Sequence, residues 1–213
     1  MMRALPSGLT DCLLWSDELG MGWHTREPMS YDGDYFAKYQ ELDATPMGEA
    51  LTKARIDFVA KYIEPSGVVD IGIGGGRFVM ESGGWGYDVS KQANKWLKSI
   101  HRWRKPGDEW HHPGKRKVEA ITCWDSIEHI PEPEALLENV TGWLFVSMPT
   151  YKSQADCLKS KHYKPGEHLW YFTIEGFTRW AAKQGFELME INHAESELGR
   201  EGITSFAFRR IDG

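Results

Sequence analysis

Cysteine is scarce in this sequence, and the cysteines present are poorly placed to act together. Cys12, Cys123 and Cys157 lie far apart and form no Cys-x-x-Cys pair. Three thiols cannot all pair within one chain, and metal centres built on cysteine need several of them at short spacing. We therefore expect reduced thiols, with neither a disulfide framework nor a cysteine metal centre.

Long apolar runs are also missing. No stretch approaches the roughly 20 consecutive apolar residues that cross a bilayer. The first residues, Met-Met-Arg-Ala-Leu-Pro, contain no apolar core of signal-peptide length. Hydrophobic residues make up 41% of the chain and charged residues 26%, which is the balance of an ordinary globular protein. The expectation is a cytoplasmic protein without a membrane partner.

An excess of positive charge is absent as well, since the formal net charge is -6. This charge disfavours broad attraction to nucleic acids and other polyanions. One local exception lies between His101 and Lys117, where basic side chains alternate with Trp103 and Trp110. Such a segment could bind single-stranded nucleic acid by charge and stacking, but a solvated connecting loop is the preferred interpretation. Nothing in the sequence indicates an oligomeric state.

The length of 213 residues suits one domain with a single core, and no linker divides it. Residues 1–30 carry glycine, proline and polar residues without a clear period, which predicts an irregular arm with at most one short element. Residues 31–213 are predicted to form a single domain. Its first part, 31–63, indicates two helices broken near Thr45 and Pro46, which could form a lid, and 64–213 form the core.

Strand and helix patterns alternate through the core. Strands are predicted at 68–72, 85–89, 118–124, 142–148, 186–192 and 204–209, and helices at 75–82, 90–101, 131–139 and 173–184, with Ser90 and Thr173 as N-caps. This alternation predicts an α/β sandwich with a mainly parallel sheet. The last two strands, joined by a loop alone, should form an antiparallel hairpin. No convincing pattern marks a further strand between His101 and Val118, where one would be expected.

The most informative segment is a glycine-rich turn after the first predicted strand. Asp70 ends the strand, and Gly72, Gly74 and Gly76 alternate after it. A side chain on any of these glycines would occupy space that a ligand needs, and glycine alone accepts the positive φ angles of tight loops. Because ligands of such sheets bind beyond the carboxyl ends of the strands, the turn predicts a nucleotide-like ligand. Asp88 ends the second predicted strand, where its carboxylate can accept hydrogen bonds from both ribose hydroxyls.

The glycine spacing narrows the choice of ligand. The dinucleotide fingerprint Gly-x-Gly-x-x-Gly needs glycine at position 77 or 79, where Arg77 and Val79 stand. An acidic residue followed by Gly-x-Gly-x-Gly resembles instead the S-adenosylmethionine-dependent methyltransferases of the Rossmann-like class. A nicotinamide-dependent oxidoreductase stays open as the alternative.

The resemblance continues in order from about residue 31 to the C-terminus. It is carried by Gly-Tyr-Asp-Val-Ser at 86–90, Glu-His-Ile at 128–130, Val-Ser-Met-Pro at 146–149, His-Leu-Trp-Tyr-Phe-Thr at 168–173 and Gly-Phe-Glu at 185–187. The Glu-His-Ile and His-x-x-x-Phe-Thr segments are similar to those of a branch of small methyltransferases. The resemblance implies a Rossmann-like three-layer sandwich preceded by N-terminal helices.

The resemblance also implies S-adenosylmethionine as cofactor. In that class the glycine turn accommodates the methionine part of the cofactor, which assigns Asp70 and the three alternating glycines to cofactor binding, and the acid at the position of Asp88 binds the ribose. Residues after the third strand flank the adenine, and Trp110, with Asp108 and Glu109 beside it, is the candidate. Asp125 is a further cofactor-binding candidate, with substrate binding or a local structural role as alternatives.

One departure concerns the length of the first strand-helix-strand unit. From Gly72 to Asp88 is 16 positions (88 minus 72), short of the roughly 20 of a dinucleotide fold, so the intervening helix must be brief. The implied function is methyl transfer to a small-molecule acceptor that the sequence does not identify. A non-catalytic S-adenosylmethionine-binding module and, less favoured, a nucleic-acid acceptor stay open.

The remaining candidates lie on the acceptor side. His129 is the candidate general base, since the pKa of an unperturbed imidazole lies near neutrality; its alternative is to orient the loop that follows the strand. His168, with His162 on the same loop, could contact substrate, although loop histidines are usually solvated. No metal site is expected, because no cysteine partners these histidines at ligand spacing. Tyr31 and Tyr35 are candidates for a lid over the cofactor or for plain packing.

Overall fold

A computed structural model describes residues 3–4, 13–25, 33–105 and 117–211. The strands are β1 (Arg3–Ala4), β2 (Leu13–Ser16), β3 (Met21–His24), β4 (Val68–Ile71), β5 (Trp85–Tyr87), β6 (Val118–Trp124), β7 (Val140–Pro149), β8 (Trp170–Phe172), β9 (Phe186–Asn192) and β10 (Ile203–Arg210). The helices are α1 (Gly33–Asp43), α2 (Pro46–Ala60), α3 (Arg77–Ser82), α4 (Lys91–Ser99), α5 (Pro133–Leu137), α6 (Gln154–Lys159), α7 (Ile174–Lys183) and α8 (Ala194–Glu197), with 3-10 turns at Pro65–Gly67 and Ile127–His129.

The helix boundaries follow from local capping chemistry. The hydroxyls of Thr45, Ser90 and Thr173 accept hydrogen bonds from backbone N–H groups in the first turns of α2, α4 and α7. Pro46 occupies the first turn of α2, where its missing N–H removes no helical hydrogen bond. The predicted caps and the break between the first two helices are therefore confirmed, while α5 is shorter than the predicted 131–139.

The main sheet has the strand order β5-β4-β6-β7-β10-β9. The first four strands run parallel, and β10 is antiparallel to both β7 and β9. The predicted fold class, a mainly parallel α/β sheet with a C-terminal antiparallel hairpin, is confirmed.

Both faces of this sheet are covered. Because successive strand residues point to opposite faces, Val69 packs in one cluster with Phe177 of α7, and the adjacent Val68 packs in another with Phe58 and Val59 of α2. The buried pattern of β4 is accordingly continuous, as is typical of a parallel strand between two helical layers. These contacts give the expected three-layer sandwich.

A second sheet departs from the predicted irregular arm. It has the order β1-β2-β3-β8 and is antiparallel throughout. Leu13 and Trp15 of β2 are buried against Tyr151 and Tyr171, so the N-terminal segment has a core of its own. The prediction of an irregular arm was wrong for residues 13–24. The domain boundary at residue 30 stays a prediction.

In the described part of the segment between α4 and β6, the pairing with the main sheet is one isolated bridge. Gly86 of β5 donates its N–H to the carbonyl of Arg102 and accepts from the N–H of Arg104, which leaves Trp103 paired in parallel with Gly86. Residues 106–116 lie outside the described residues. Among the described helices, none is both long and apolar enough to cross a membrane.

Candidate active site

The glycine turn lies where the carboxyl ends of the two neighbouring strands β4 and β5 meet. Gly72, Gly74 and Gly76 all have positive φ, at 76°, 56° and 90°. Each value lies in the left-handed region that disfavours residues with a β-carbon. The turn is tied to β5 by the Gly72 N–H, which donates to the carbonyl of Tyr87. Its shape therefore requires glycine at all three predicted positions.

Two of the three alternating glycines are needed for packing within the protein. This corrects the expectation that each glycine makes room for a ligand. A β-carbon at Gly72 would lie 2.6 Å from the β-carbon of Ser126, and one at Gly76 would lie 2.4 Å from the indole of Trp96. At Gly74 the nearest atom would be 3.5 Å away, an ordinary contact. Gly74 is therefore the alternating glycine beside which a β-carbon would fit, in contact with the ring of Tyr39.

Gly75, between the alternating glycines, receives the N-terminal helix α1. A β-carbon there would lie 2.5 Å from the backbone oxygen of Tyr39. The contact is reinforced by Asp43, whose carboxylate accepts a hydrogen bond from the Arg77 N–H at 3.1 Å. Tyr35 stacks on Tyr39 with ring centroids 4.5 Å apart. Helix α1 thus lies across the turn, and the lid role of Tyr35 stays a prediction.

A cleft of about 310 Å³ opens beside this contact, between α1, the glycine turn and α3. Its walls include Gln40, Asp43, Gly76 and Trp96. The predicted acids Asp70 and Asp88 are not among its lining residues.

Asp88 follows β5 and braces the turn. One carboxylate oxygen accepts a hydrogen bond from the Ile73 N–H at 3.0 Å, and the other accepts from the Ser90 N–H at 2.7 Å. Burial raises the pKa of Asp88 above its ordinary value, although these backbone donors act in the opposite direction. A carboxylate offers about four lone-pair positions, so these backbone donors leave capacity for hydrogen bonds from a ribose.

Asp70 is the penultimate residue of β4 and is 1% exposed. Its carboxylate accepts a hydrogen bond from the Thr122 hydroxyl on β6 at 2.7 Å. Burial raises the pKa of Asp70 to about 7. A cationic ligand would stabilise the ionised form, so this carboxyl suits a cofactor that carries a positive charge.

Two predicted residues, Tyr31 and Trp110, lie outside the described residues. Asp108 and Glu109 lie outside them too. The adenine contacts and one part of the predicted lid therefore stay predictions.

Asp125 lies in a partly buried ion network. Its carboxylate accepts from Arg55 at 3.2 Å and from Arg200 at 2.7 Å, and both arginines also bind Glu195. Burial acts to raise the pKa of Asp125, but the two arginines outweigh it and hold that pKa below its ordinary value. A φ of 53° turns the backbone at this residue. Cofactor binding by Asp125 stays a prediction. In this structure its carboxylate is bound by the two arginines.

The Glu-His-Ile segment continues from Asp125 and closes against the glycine turn. The Ser126 hydroxyl donates to the carbonyl of Ile71 at 2.5 Å, which holds this segment next to the end of β4. His129 Nδ1 lies 2.7 Å from the carbonyl oxygen of Glu167, so that ring nitrogen carries the proton. Burial lowers the pKa of His129, which favours a neutral ring with Nε2 unprotonated.

His168 is buried, at 4% exposure, which corrects the expectation of a solvated loop histidine. Its ring meets that of His129 edge to face, with centroids 4.7 Å apart. Burial lowers the pKa of His168 to about 2, so the ring is neutral at physiological pH. Glu128, the residue before His129, is 2% exposed, and burial together with the charge of Asp125 raises its pKa well above the ordinary value.

The ionic and hydrogen-bond partners of Asp125 and Asp70 were not predicted from the sequence. Arg55 of α2 and Arg200, between β9 and β10, bind Asp125, and Glu195 binds both arginines. Nothing in the spacing of these residues connects them to Asp125. Thr122 is different, because it lies two residues before the end of a predicted strand, on the face that neighbours Asp70.

The overall architecture is shared with solved structures of low sequence identity. A possible histamine N-methyltransferase from Thermotoga maritima is 18% identical, with a TM-score of 0.59 over 83% of this chain and 96% of that chain. A methyltransferase from Aquifex aeolicus is 14% identical, with a TM-score of 0.57 over 85% and 100%. Magnesium protoporphyrin IX methyltransferase from Synechocystis, solved with bound S-adenosylhomocysteine, is 13% identical, with a TM-score of 0.53 over 85% and 90%. Comparison with curated proteins gives no match.

The fold and the glycine turn are those of a Rossmann-like α/β protein with a nucleotide-type site at the carboxyl ends of its parallel strands. The family follows from the sequence itself, because a methyltransferase domain model matches residues 42–191. The chain belongs to the methyltransferase domain family. It is an enzyme that uses S-adenosylmethionine, which sets aside the nicotinamide alternative.

Proposed function

We propose that this methyltransferase acts on a small-molecule acceptor bound beside Glu128, His129 and His168. The observation that carries the proposal is the enclosure of these groups: the side chain of His129 is 13% exposed, and the other two are buried. An enclosed site excludes water and suits a small ligand better than a polymer surface. The net charge of -6 agrees with this choice, since it repels nucleic acid.

Membership of the small-methyltransferase branch is part of the proposal. The two segments that carry the branch resemblance contact each other directly: the Leu169 N–H donates to the carbonyl of Glu128 at 2.9 Å. The Trp170 indole N–H donates to the carbonyl of Ile130, also at 2.9 Å. These bonds support a shared role for the two segments on the acceptor side.

The cofactor side is assigned to the turn and its acids. When bound, S-adenosylmethionine supplies a methyl group activated by a sulfonium. Gly74 leaves room beside its backbone, Asp88 offers a remaining lone pair to the ribose, and Asp70 stabilises positive charge nearby. The chain's main contribution is to hold the two reactants in line in a dry pocket.

His129 contributes an unprotonated Nε2 on the acceptor side. The hydrogen bond from Nδ1 to the Glu167 carbonyl fixes the tautomer and the ring orientation. A nitrogen held in this way can take a proton from an acceptor hydroxyl or ammonium, which is the predicted role of His129.

Binding and transfer test the proposal separately. Calorimetry should give one S-adenosylhomocysteine site per chain, weakened about tenfold or more in Asp88→Ala, because hydrogen bonding to the ribose would be lost. Asp57→Ala, at an exposed position of α2, is the matched control and should bind like the wild type.

Transfer is then measured with radiolabelled S-adenosylmethionine and a cell extract separated into small molecules, RNA and protein. Label should enter the small-molecule fraction. Label found only in RNA or protein would contradict the acceptor class, and binding without transfer to any fraction would indicate a non-catalytic module.

A further inference from the structure

Glu128 is a buried carboxyl without the partners that buried carboxyls need. It is 2% exposed, and among the described residues neither of its oxygens has a hydrogen-bond partner. Buried polar atoms in folded proteins are nearly always satisfied, and one left unsatisfied calls for an explanation such as an ion. Whether a metal ion could bind there depends on the other possible ligand atoms near the Glu128 carboxylate.

Two histidines face this carboxyl. One ligand atom each from Glu128, His129 and His168 can be chosen so that all three lie within 4.8 Å of one another. The Glu128 Oε1 to His129 Nε2 distance is 3.9 Å. A tetrahedral zinc ion with bonds of about 2.0–2.2 Å separates its ligand atoms by about 3.4 Å. Small side-chain rotations would close the three atoms around such an ion.

Hydrogen bonds around Glu128 and His129 orient them in the way that metal ligands are usually oriented. His129 donates its other ring N–H to the Glu167 carbonyl, the outer hydrogen bond typical of a metal-bound histidine. The backbone N–H of Leu169 donates to the Glu128 carbonyl, and the His24 N–H of β3 donates to the Leu169 carbonyl at 2.8 Å. Both sides of the cluster are therefore fixed before any ion arrives.

We propose that Glu128, His129 and His168 bind a divalent cation of the zinc class, with an open coordination position toward the acceptor. Two imidazoles and one carboxylate are the ligand set that zinc and neighbouring first-row cations prefer. The cation would satisfy the unpartnered carboxyl, and it would take one nitrogen lone pair from each imidazole.

The role of the cation, unlike its binding, rests on the proposed methyl transfer. An open coordination position could hold an acceptor oxygen, and a bound cation lowers the pKa of such a group. His129 would then act as a ligand and would not take the proton itself. A competing account of Glu128 is a protonated carboxyl that needs no cation.

The test uses tag-free full-length protein stripped with EDTA and then freed of chelator. A chromophoric zinc indicator should report one zinc site per chain, and Co²⁺ should give visible absorption bands of a low-symmetry, four- or five-coordinate site. Glu128→Gln, which keeps size and removes charge, and His168→Gln should each weaken zinc binding about tenfold or more. His162→Gln is the matched control on the same loop and should bind zinc like the wild type.

Several results would overturn the proposal. No stoichiometric zinc binding at micromolar concentration, or equal affinity in the wild type, Glu128→Gln and His168→Gln, would assign Glu128 to the protonated form. If a variant fails to fold, the Co²⁺ spectrum of the wild type still tests the proposal, since absence of the expected bands would contradict it. S-adenosylhomocysteine calorimetry on stripped protein separates the two proposals, because the cofactor site contains none of these three residues.

Discussion

Asp70 illustrates how one enclosed carboxyl can make cofactor binding depend on pH. Burial raises its pKa from an ordinary 3.8 to about 7, so much of it is protonated in the folded protein near neutrality. The folded chain binds this proton more tightly than the unfolded chain does. The stabilisation that Asp70 contributes is therefore complete below about pH 4 and is lost as the pH rises toward 7.

We expect the affinity for S-adenosylmethionine to rise about five- to tenfold between pH 6 and 7.5, because a cationic ligand binds better to the ionised carboxyl. Calorimetry across this range should show the slope in the wild type and a flat profile in Asp70→Asn. A wild type without the slope, or a variant that keeps it, would assign the pH dependence to another group.

Glu195 joins several elements through one buried carboxylate. It binds Arg55 of α2 at 2.7 Å, Ser147 of β7 at 2.7 Å, and Arg200 after α8. Through the two arginines it also reaches Asp125 after β6. The network fixes helix α2 and the C-terminal segment to the strand end from which the Glu-His-Ile segment starts.

Glu195→Gln should lower the free energy of unfolding by about 2–4 kcal/mol, because two partly buried arginines would then share one carboxylate. Chemical denaturation measures this change. Asp57→Asn is the control: it removes an exposed Lys53–Asp57 pair on α2 and should cost less than about 1 kcal/mol. Equal effects of the two substitutions would mean that the network adds nothing beyond a surface ion pair.

Local chemistry explains which elements could be predicted. Caps at Ser90 and Thr173, the glycine turn, and Asp88 at the end of β5 depend on neighbours in the chain, and the structure confirms the elements they mark. The β2–β3 hairpin was missed because its strands have four residues each and its partner β8 is distant in sequence. The surroundings of Glu128 were missed for the same reason.

The β2–β3 hairpin meets helix α7 at a contact that leaves no room for a side chain. A β-carbon at Gly176 of α7 would lie 2.0 Å from the carbonyl oxygen of Gly20, in the turn between β2 and β3. The same carbonyl accepts a hydrogen bond from the Thr173 N–H at 2.8 Å. Glycine at position 176 thus lets the hairpin dock on the first turn of α7.

Gly176→Ala should lower the free energy of unfolding by about 1–3 kcal/mol, since the clash with backbone outweighs the roughly 1 kcal/mol gain in helix propensity. Hydrogen exchange should speed up in residues 13–24 and in β8. Gly67→Ala, where a β-carbon would meet nothing within 4 Å, is the control and should leave exchange in both segments unchanged. Unchanged exchange in Gly176→Ala would show that the hairpin docks independently of this contact.

The pairing of β3 with β8 also sets an order for folding on the ribosome. The hairpin is synthesised early, but Tyr171, which pairs with Gly22, follows on the order of 150 residues later. Until then the β3 edge has no partner, and the His24 N–H cannot yet hold Leu169 beside Glu128. The proposed metal site, whose ligand His168 lies three residues before Tyr171, can therefore form only after the β8 segment has been synthesised.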